Sequence, residues 1–213
     1  MAELAKGLIL RTRPLTETSL IVQWLTREFG RMATVAKGAR RPKSPFSGKL
    51  DLFYLADFSF VRSTRSELHA LREVAVYETH PILRRELSCL RQVSYFASLV
   101  ELATETETPI PEVFVLLLTL IQQLPALPPS PKTVFAFEFK LLSEIGLRPD
   151  LTQTALKPGT KAIVEKLLEG DWSLLATLQL SESQIHELRQ FLHGFLIYHL
   201  GKLPRGRDGA LEM

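Results

Sequence analysis

The stretch Ser19-Leu20-Ile21-Val22-Gln23-Trp24-Leu25-Thr26, Arg27-Glu28-Phe29-Gly30, Arg31-Met32-Ala33-Thr34-Val35-Ala36-Lys37 decides the fold. Two runs rich in β-branched and aliphatic residues flank a short turn at Glu28-Phe29-Gly30. Gly30 is free to take positive φ there, which makes the connection a tight hairpin. Trp24 alternates in phase with Leu20 and Val22, so a strand puts all three on one face. The spacing predicts an antiparallel pair over residues 19–26 and 31–37, with Trp24 in the core.

Working outward, residues 7–13 read as a preceding strand, with Leu8 and Leu10 on one face and Ile9, Arg11 and Arg13 on the other. Pro14 ends it, because proline lacks the N–H a ladder needs. Residues 38–49 (GARRPKSPFSGK) form a loop with two prolines and two glycines. The loop holds Arg40, Arg41, Lys43 and Lys49, with Lys37 at its mouth. Residues 50–62 read as a long apolar strand with a bulge or bend at Asp57, and residues 67–77 as a fifth strand after a turn at 63–66. Five strands suit a small closed barrel, because closure removes exposed edges. The strand count fits an OB-type barrel and an SH3-like one about equally.

Near residue 80 the hydrophobic period changes from strand to helix. Helices are expected over 89–104, 111–124 with Pro111 at the first position, 133–145 before Gly146, and 158–168 with Gly170 beyond. Residues 125–131 (PALPPSP) read as an extended connector. Ser181 caps the last helix, and Gln184, three residues on, completes a capping box. That helix is expected to bury Ile185, Leu188, Leu192, Phe195 and Leu196, with His199 on the same stripe. It runs into a basic-leaning tail at 202–207. The fold class is α+β: a barrel over residues 1–79, then an all-α domain over 80–213.

The chain of 213 residues is 46% hydrophobic and 23% charged, a globular composition. Its net charge of +3 is unevenly placed. Residues 1–49 hold ten basic and three acidic residues, a net of +7, so the remainder sums to −4. Such asymmetry points to a polyanionic partner, either nucleic acid or a membrane surface. The single cysteine, Cys89, excludes an intrachain disulfide and an all-cysteine zinc site, and fits a reducing compartment. No secretory signal is read, and the most apolar run, residues 113–121, is half of the ~20 residues a membrane span needs. The sequence is expected to be soluble and cytoplasmic.

Catalytic signatures are scarce. There is no GxG pair, no GxSxG elbow, and no lysine and hydroxyl after the P-loop-like spacing of Gly201 and Gly206. His186, His193 and His199 lack the i, i+4 spacing of a helical zinc site. Asp51 and Asp57 lie about 20 Å apart along one strand, too far for a two-metal centre. Glu101, Glu105 and Glu107 read as a solvated helix end, and Cys89 as a small core residue. The basic segment is the informative one: a cationic barrel face with a cationic loop is what a phosphate backbone needs. Trp24 and Phe29 are the aromatic candidates for base stacking, Trp24 being the better core residue.

At this point the residues resemble a known family. Residues 7–20 (GLILRTRPLTETSL), 26–31 (TREFGR) and 35–41 (VAKGARR) are similar to the opening of the bacterial recombination mediator RecO. The end, Tyr198-His199-Leu200-Gly201-Lys202-Leu203-Pro204-Arg205-Gly206-Arg207, resembles that family's closing H-L-G-K-x-x-R-S-R pattern, with Gly206 in place of the usual serine. The resemblance implies an N-terminal OB domain, a helical domain and no enzymatic activity. It also implies binding to single- and double-stranded DNA and annealing of complementary strands. Expected partners are the single-stranded-DNA-binding protein, RecR and, indirectly, the RecA recombinase, at the bacterial nucleoid during repair. Many members carry a four-cysteine zinc module after the segment that here reads Leu142-Ser143-Glu144-Ile145-Gly146. This chain has no cysteine there, so no metal or other cofactor is expected. The DNA-contacting residues expected are Arg11, Arg13, Arg31, Lys37, Arg40, Arg41, Lys43 and Lys49. Arg84, Arg85 and Arg91, near Leu87, Leu90 and Phe96, form a candidate seat for the acidic, apolar-ended tail of the partner protein. A protein-interaction adaptor without annealing activity is the competing reading. A nuclease is disfavoured by the carboxylate spacing.

Overall fold

The computed structural model describes residues 1–127 and 129–212. Five strands close into a barrel of order β1-β2-β3-β5-β4, with β4 returning to β1. They are β1 (Ala2–Pro14), β2 (Leu20–Thr26), β3 (Gly30–Ala36), β4 (Leu55–Val61) and β5 (Leu68–Glu78). The single parallel seam joins β3 to β5 over three positions, Ala33–Leu68, Thr34–His69 and Val35–Ala70. This is the OB-type arrangement, which decides between the two barrel readings. Trp24 is fully buried and stacks on Phe58 at 4.1 Å, while its indole N–H donates to Thr34 Oγ1 at 2.8 Å. The hydrogen bond removes the cost of burying a polar tip.

Two strand expectations are corrected. A bulge in the β1–β2 register between Ile9 and Arg11 breaks the alternation of β1. Ile9, paired with Trp24, enters the barrel core, whereas Arg11 and Arg13, paired with Gln23 and Ile21, project from the opposite face. An extra residue in one strand shifts the phase of everything beyond it, which strict alternation misses. The fourth strand is also shorter than residues 50–62. The Asp51 carboxylate accepts from the Leu52 N–H at 2.7 Å, and Phe53 takes φ 62°, so the chain turns before Leu55.

The chain divides into two compact units. The first is Met1–Pro81 together with Thr104–Val115; the second is Ile82–Ala103 together with the chain from Leu116 onward. The segment from Thr104, which the sequence reading puts among the helices, thus folds with the barrel. The Arg31 guanidinium donates to the Thr104 hydroxyl at 2.9 Å and to its carbonyl at 2.6 Å, and the Glu107 N–H donates to the Arg31 carbonyl at 2.7 Å. Gly30, at φ 66°, makes room for this strap: a Cβ there would lie 2.3 Å from the Thr108 carbonyl oxygen. Gly30→Ala is therefore expected to destabilise the protein by about 2–4 kcal/mol, combining left-handed strain with backbone overlap. It should also expose residues 104–108 to limited proteolysis. An unchanged melting temperature would refute this role for the strap.

In the helical unit, α1 (Ile82–Arg85) leads into α2 (Leu87–Ala103). The helix α3 (Pro111–Gln123), whose residues 111–115 belong to the first unit, starts at the expected proline and passes into a 3-10 turn, Leu124–Ala126, where the sequence reading expects extended chain. Pro128, within that expected connector, lies outside the described residues. Next comes α4 (Pro131–Glu144), closed by Gly146 at φ 78° with the Leu147 N–H donating to the Leu142 carbonyl at 2.7 Å. This is the left-handed glycine stop that the sequence predicts. Then follow α5 (Pro158–Glu169), α6 (Leu174–Thr177), α7 (Glu182–Leu200) and α8 (Arg207–Leu211). The predicted capping box of Ser181 and Gln184 is formed at the start of α7. Phe96 stacks on Phe137 at 4.3 Å within the core. The tail reading fails at Arg207, which is buried, opens α8, and pairs with the buried carboxylate of Glu138 at 2.7 Å.

Candidate nucleic-acid interface

The loop after β3 is a succession of tight turns. Arg41 N–H donates to the Gly38 carbonyl at 3.0 Å, Ser44 N–H to Arg41 at 3.1 Å, Ser47 N–H to Ser44 at 3.1 Å, and Lys49 N–H to Phe46 at 3.1 Å. Its root is tied to the β1–β2 connection, because the Arg40 N–H donates to the Thr18 carbonyl at 2.9 Å. That tie brings the loop beside the end of β1 that carries Arg13.

Phe46 anchors the loop. Its side chain is buried and belongs to the barrel core with Ala36, Leu71 and Val74. Sequence reasoning missed it, since a single aromatic directly after Pro45 in a polar loop has no periodicity to mark it. Phe46→Ala is expected to cost about 3–5 kcal/mol, the usual range for a buried phenylalanine. Proteolytic cleavage at the loop should accelerate in that variant, and a loop as resistant as the parent's would sink the anchor assignment.

The anchor leaves the cations outside. Arg11, Arg13, Lys37, Arg40, Arg41 and Lys43 are exposed and Lys49 is half-buried. Among the described residues, Arg13, Lys37, Arg40, Arg41, Lys43 and Lys49 pair with no carboxylate. Exposed cations without paired carboxylates favour an anionic ligand. A cleft of about 330 Å³ opens beside the loop, with Leu20, Phe46 and Tyr54 among its walls and Ser47 and Asp51 as its polar points.

The other end of β3 differs. Arg31 is half-buried and its guanidinium is committed to Thr104, so it is a strap holder and not an open phosphate contact. Arg62 pairs with Glu3 at 3.1 Å and Glu107 at 2.9 Å, and its pKa is raised first by the hydrogen bond to Glu3 and then by the charges of Glu3 and Glu107. His69 is buried, accepts the Ser63 N–H on Nδ1 at 3.1 Å, and makes a short contact from Nε2 to Glu107. Phe29, a stacking candidate, meets Phe60 edge-on at 5.5 Å and lies under Arg62 at 5.6 Å. Trp24 is equally committed to the core.

In the helical unit Phe96 is fully buried, so it lines no open seat for a partner tail. Arg84, Arg85 and Arg91 are exposed, and Leu87 is exposed nearby. Burial raises the pKa of the Cys89 thiol, in keeping with a core residue. No helix among the described residues is long and apolar enough to cross a membrane.

A closed OB-type barrel with a cationic loop, joined to a helical unit, defines an α+β protein of the OB-barrel class. Within that class, two family models match: "Recombination protein O N terminal" over residues 1–80 and "Recombination protein O C terminal" over residues 84–156. Curated relatives agree. A DNA repair protein RecO of Anaeromyxobacter dehalogenans (strain 2CP-C) is 28% identical, with 92% of this chain and 91% of the relative aligned. That of Bacillus subtilis (strain 168) is 32% identical over 68% of this chain and 56% of its own length. That of Symbiobacterium thermophilum is 34% identical over 68% of this chain and 57% of the relative. The chain belongs to the RecO family of DNA repair proteins.

Proposed function

We propose that the chain is a non-enzymatic recombination mediator that binds single- and double-stranded DNA and anneals complementary strands. In this reading it acts with RecR to help load RecA on DNA coated by the single-stranded-DNA-binding protein, in the cytoplasm at the nucleoid. The barrel domain, residues 1–79, holds the nucleic acid, and the helical domain, residues 80–213, serves the protein partners. The observation that carries the reading is the loop of Arg40, Arg41, Lys43 and Lys49, which pair with no carboxylate among the described residues and are held on a loop pinned by Phe46. Arg11, Arg13 and Lys37 extend it, while Arg31 supports it indirectly through the strap. Charge neutralisation is the mechanism: two strands on one cationic surface are screened from each other, which eases their pairing. No zinc step enters, because the family's four-cysteine module has no counterpart in a chain with one cysteine.

The test is ATP-free annealing of complementary oligonucleotides precoated with the cognate single-stranded-DNA-binding protein. Faster annealing than the spontaneous reaction, falling as salt rises, is the expected result. Absence of both DNA binding and annealing would favour a protein-only adaptor.

A further inference from the structure

The last turn of α7 exposes Ile197, Tyr198 and His199. Only Leu188, Leu192 and Leu196 of this helix are buried; the expected burial of Ile185 and Phe195 is partial, and His199 is exposed. Tyr198 is 84% exposed, an unusual setting for a large aromatic ring. Its ring meets His199 edge-on at 4.9 Å, and His199 lies 4.3 Å from Phe195, which in turn lies 5.5 Å from Phe191. The helix thus carries a ladder of rings leading outward to its end.

Charge sets the identity of the partner. Residues 80–213 hold 13 basic and 15 acidic residues, so this half of the chain is slightly negative. Yet from Leu188 to Arg207 there is no acidic residue at all. Lys202 and Arg205 follow the ladder directly and are both exposed. Asp208 is the first carboxylate after them. Exposed rings followed along the chain by exposed cations, with no carboxylate between them in the sequence, is the composition that stacks bases and tracks phosphates along a single strand. The aliphatic surface here is small: Leu188, Leu192 and Leu196 are buried, Leu200 is half-buried, and Ile197 is the one exposed aliphatic of the last two turns.

We propose that the end of α7 is a second single-stranded nucleic-acid site, with Tyr198 and His199 as the stacking platform and Lys202 and Arg205 as phosphate contacts. It rests on the reading of the chain as a DNA-annealing protein and extends it, since two strands then have separate seats on one chain.

The experiment uses the full chain and a fluorescein-labelled oligothymidylate of about 12 nucleotides, long enough for one site. Anisotropy and native mass spectrometry are read for the parent, Tyr198→Ala, the double variant Lys202→Glu/Arg205→Glu, and the loop variant Arg40→Glu/Arg41→Glu. The parent should bind two oligonucleotides. Either α7 variant should bind one and anneal about tenfold more slowly, the scale of one lost base stack. The loop variant should retain the α7-bound oligonucleotide. Because these side chains are exposed, thermal melting should stay unchanged. If both α7 variants keep two oligonucleotides, the α7 site is overturned and the barrel reading stands. If the parent binds none, both readings fall. If the α7 variants alter self-association but not stoichiometry, the ladder is a protein contact and the proposal is overturned.

Discussion

Replacing Arg207 or Glu138 by alanine will destabilise the protein by about 3–5 kcal/mol, enough to unfold many domains of this size. Glu138 is fully buried on α4 and Arg207 is 3% exposed at the start of α8. The guanidinium donates to both carboxylate oxygens, at 2.7 and 2.9 Å, and again to the Arg189 carbonyl at 3.4 Å. The Tyr95 hydroxyl donates to the same carboxylate at 2.5 Å. Removing one partner leaves a desolvated charge with nothing to balance it, and that imbalance is the source of the loss. Replacing both, as Glu138→Leu with Arg207→Met, removes the two desolvation penalties together and should recover most of the stability. Urea unfolding of the two single variants and the double variant checks this. If the double variant were as unstable as the singles, the effect would lie in packing and not in unpaired charge.

The same network sets a pH dependence. Burial first, and the neighbouring Glu138 carboxylate second, push the Tyr95 phenol well above its usual value of 10.0. A group whose pKa is raised on folding holds its proton longer in the folded state. Its contribution is therefore complete below about pH 10 and is lost as pH rises from there toward the folded value. Stability should fall on the alkaline side, and Tyr95→Phe should flatten that fall while costing about 1.5–3 kcal/mol at neutral pH. A Phe variant with an undiminished alkaline slope would assign the slope to another group.

Local chemistry was what the sequence exposed best. The hairpin around Gly30, the core position of Trp24, proline at the start of α3, glycine after α4 and the capping box of α7 each depend on a few neighbouring residues. The features it concealed depend on distant partners. Arg207 looks like a tail cation until α4 brings Glu138 to it, 69 positions away in the chain. Arg31 looks like a phosphate contact until Thr104 arrives 73 positions later. The β1 bulge shifts Arg11 and Arg13 relative to Ile9, and nothing in residues 7–13 announces it. Phe46 reads as part of a polar loop, yet it packs into the barrel core. The cations of the loop were visible because charge density needs no partner to be seen.

Reversing Arg40 and Arg41 to glutamate should weaken single-stranded DNA binding at the barrel site about a hundredfold at ~0.1 M salt, the largest functional effect expected of any surface change here. Each phosphate contact to a single strand releases about 0.7 counterions, so two lost contacts flatten the slope of log affinity against log salt by about 1.4. Reversal adds repulsion to that loss, which carries the effect beyond simple neutralisation. The fold should be indifferent. The Arg40 main-chain N–H still reaches the Thr18 carbonyl, Phe46 still fills the barrel, and both side chains are exposed. Melting should therefore stay within about 0.5 kcal/mol of the parent. Arg31→Ala supplies the contrast. It should loosen the strap at Thr104 and lower stability, yet leave the salt slope unchanged, because its guanidinium is occupied. Fluorescence anisotropy at several salt concentrations separates the two. An unchanged slope in the loop variant would remove Arg40 and Arg41 from the interface, and a flattened slope in Arg31→Ala would return Arg31 to it.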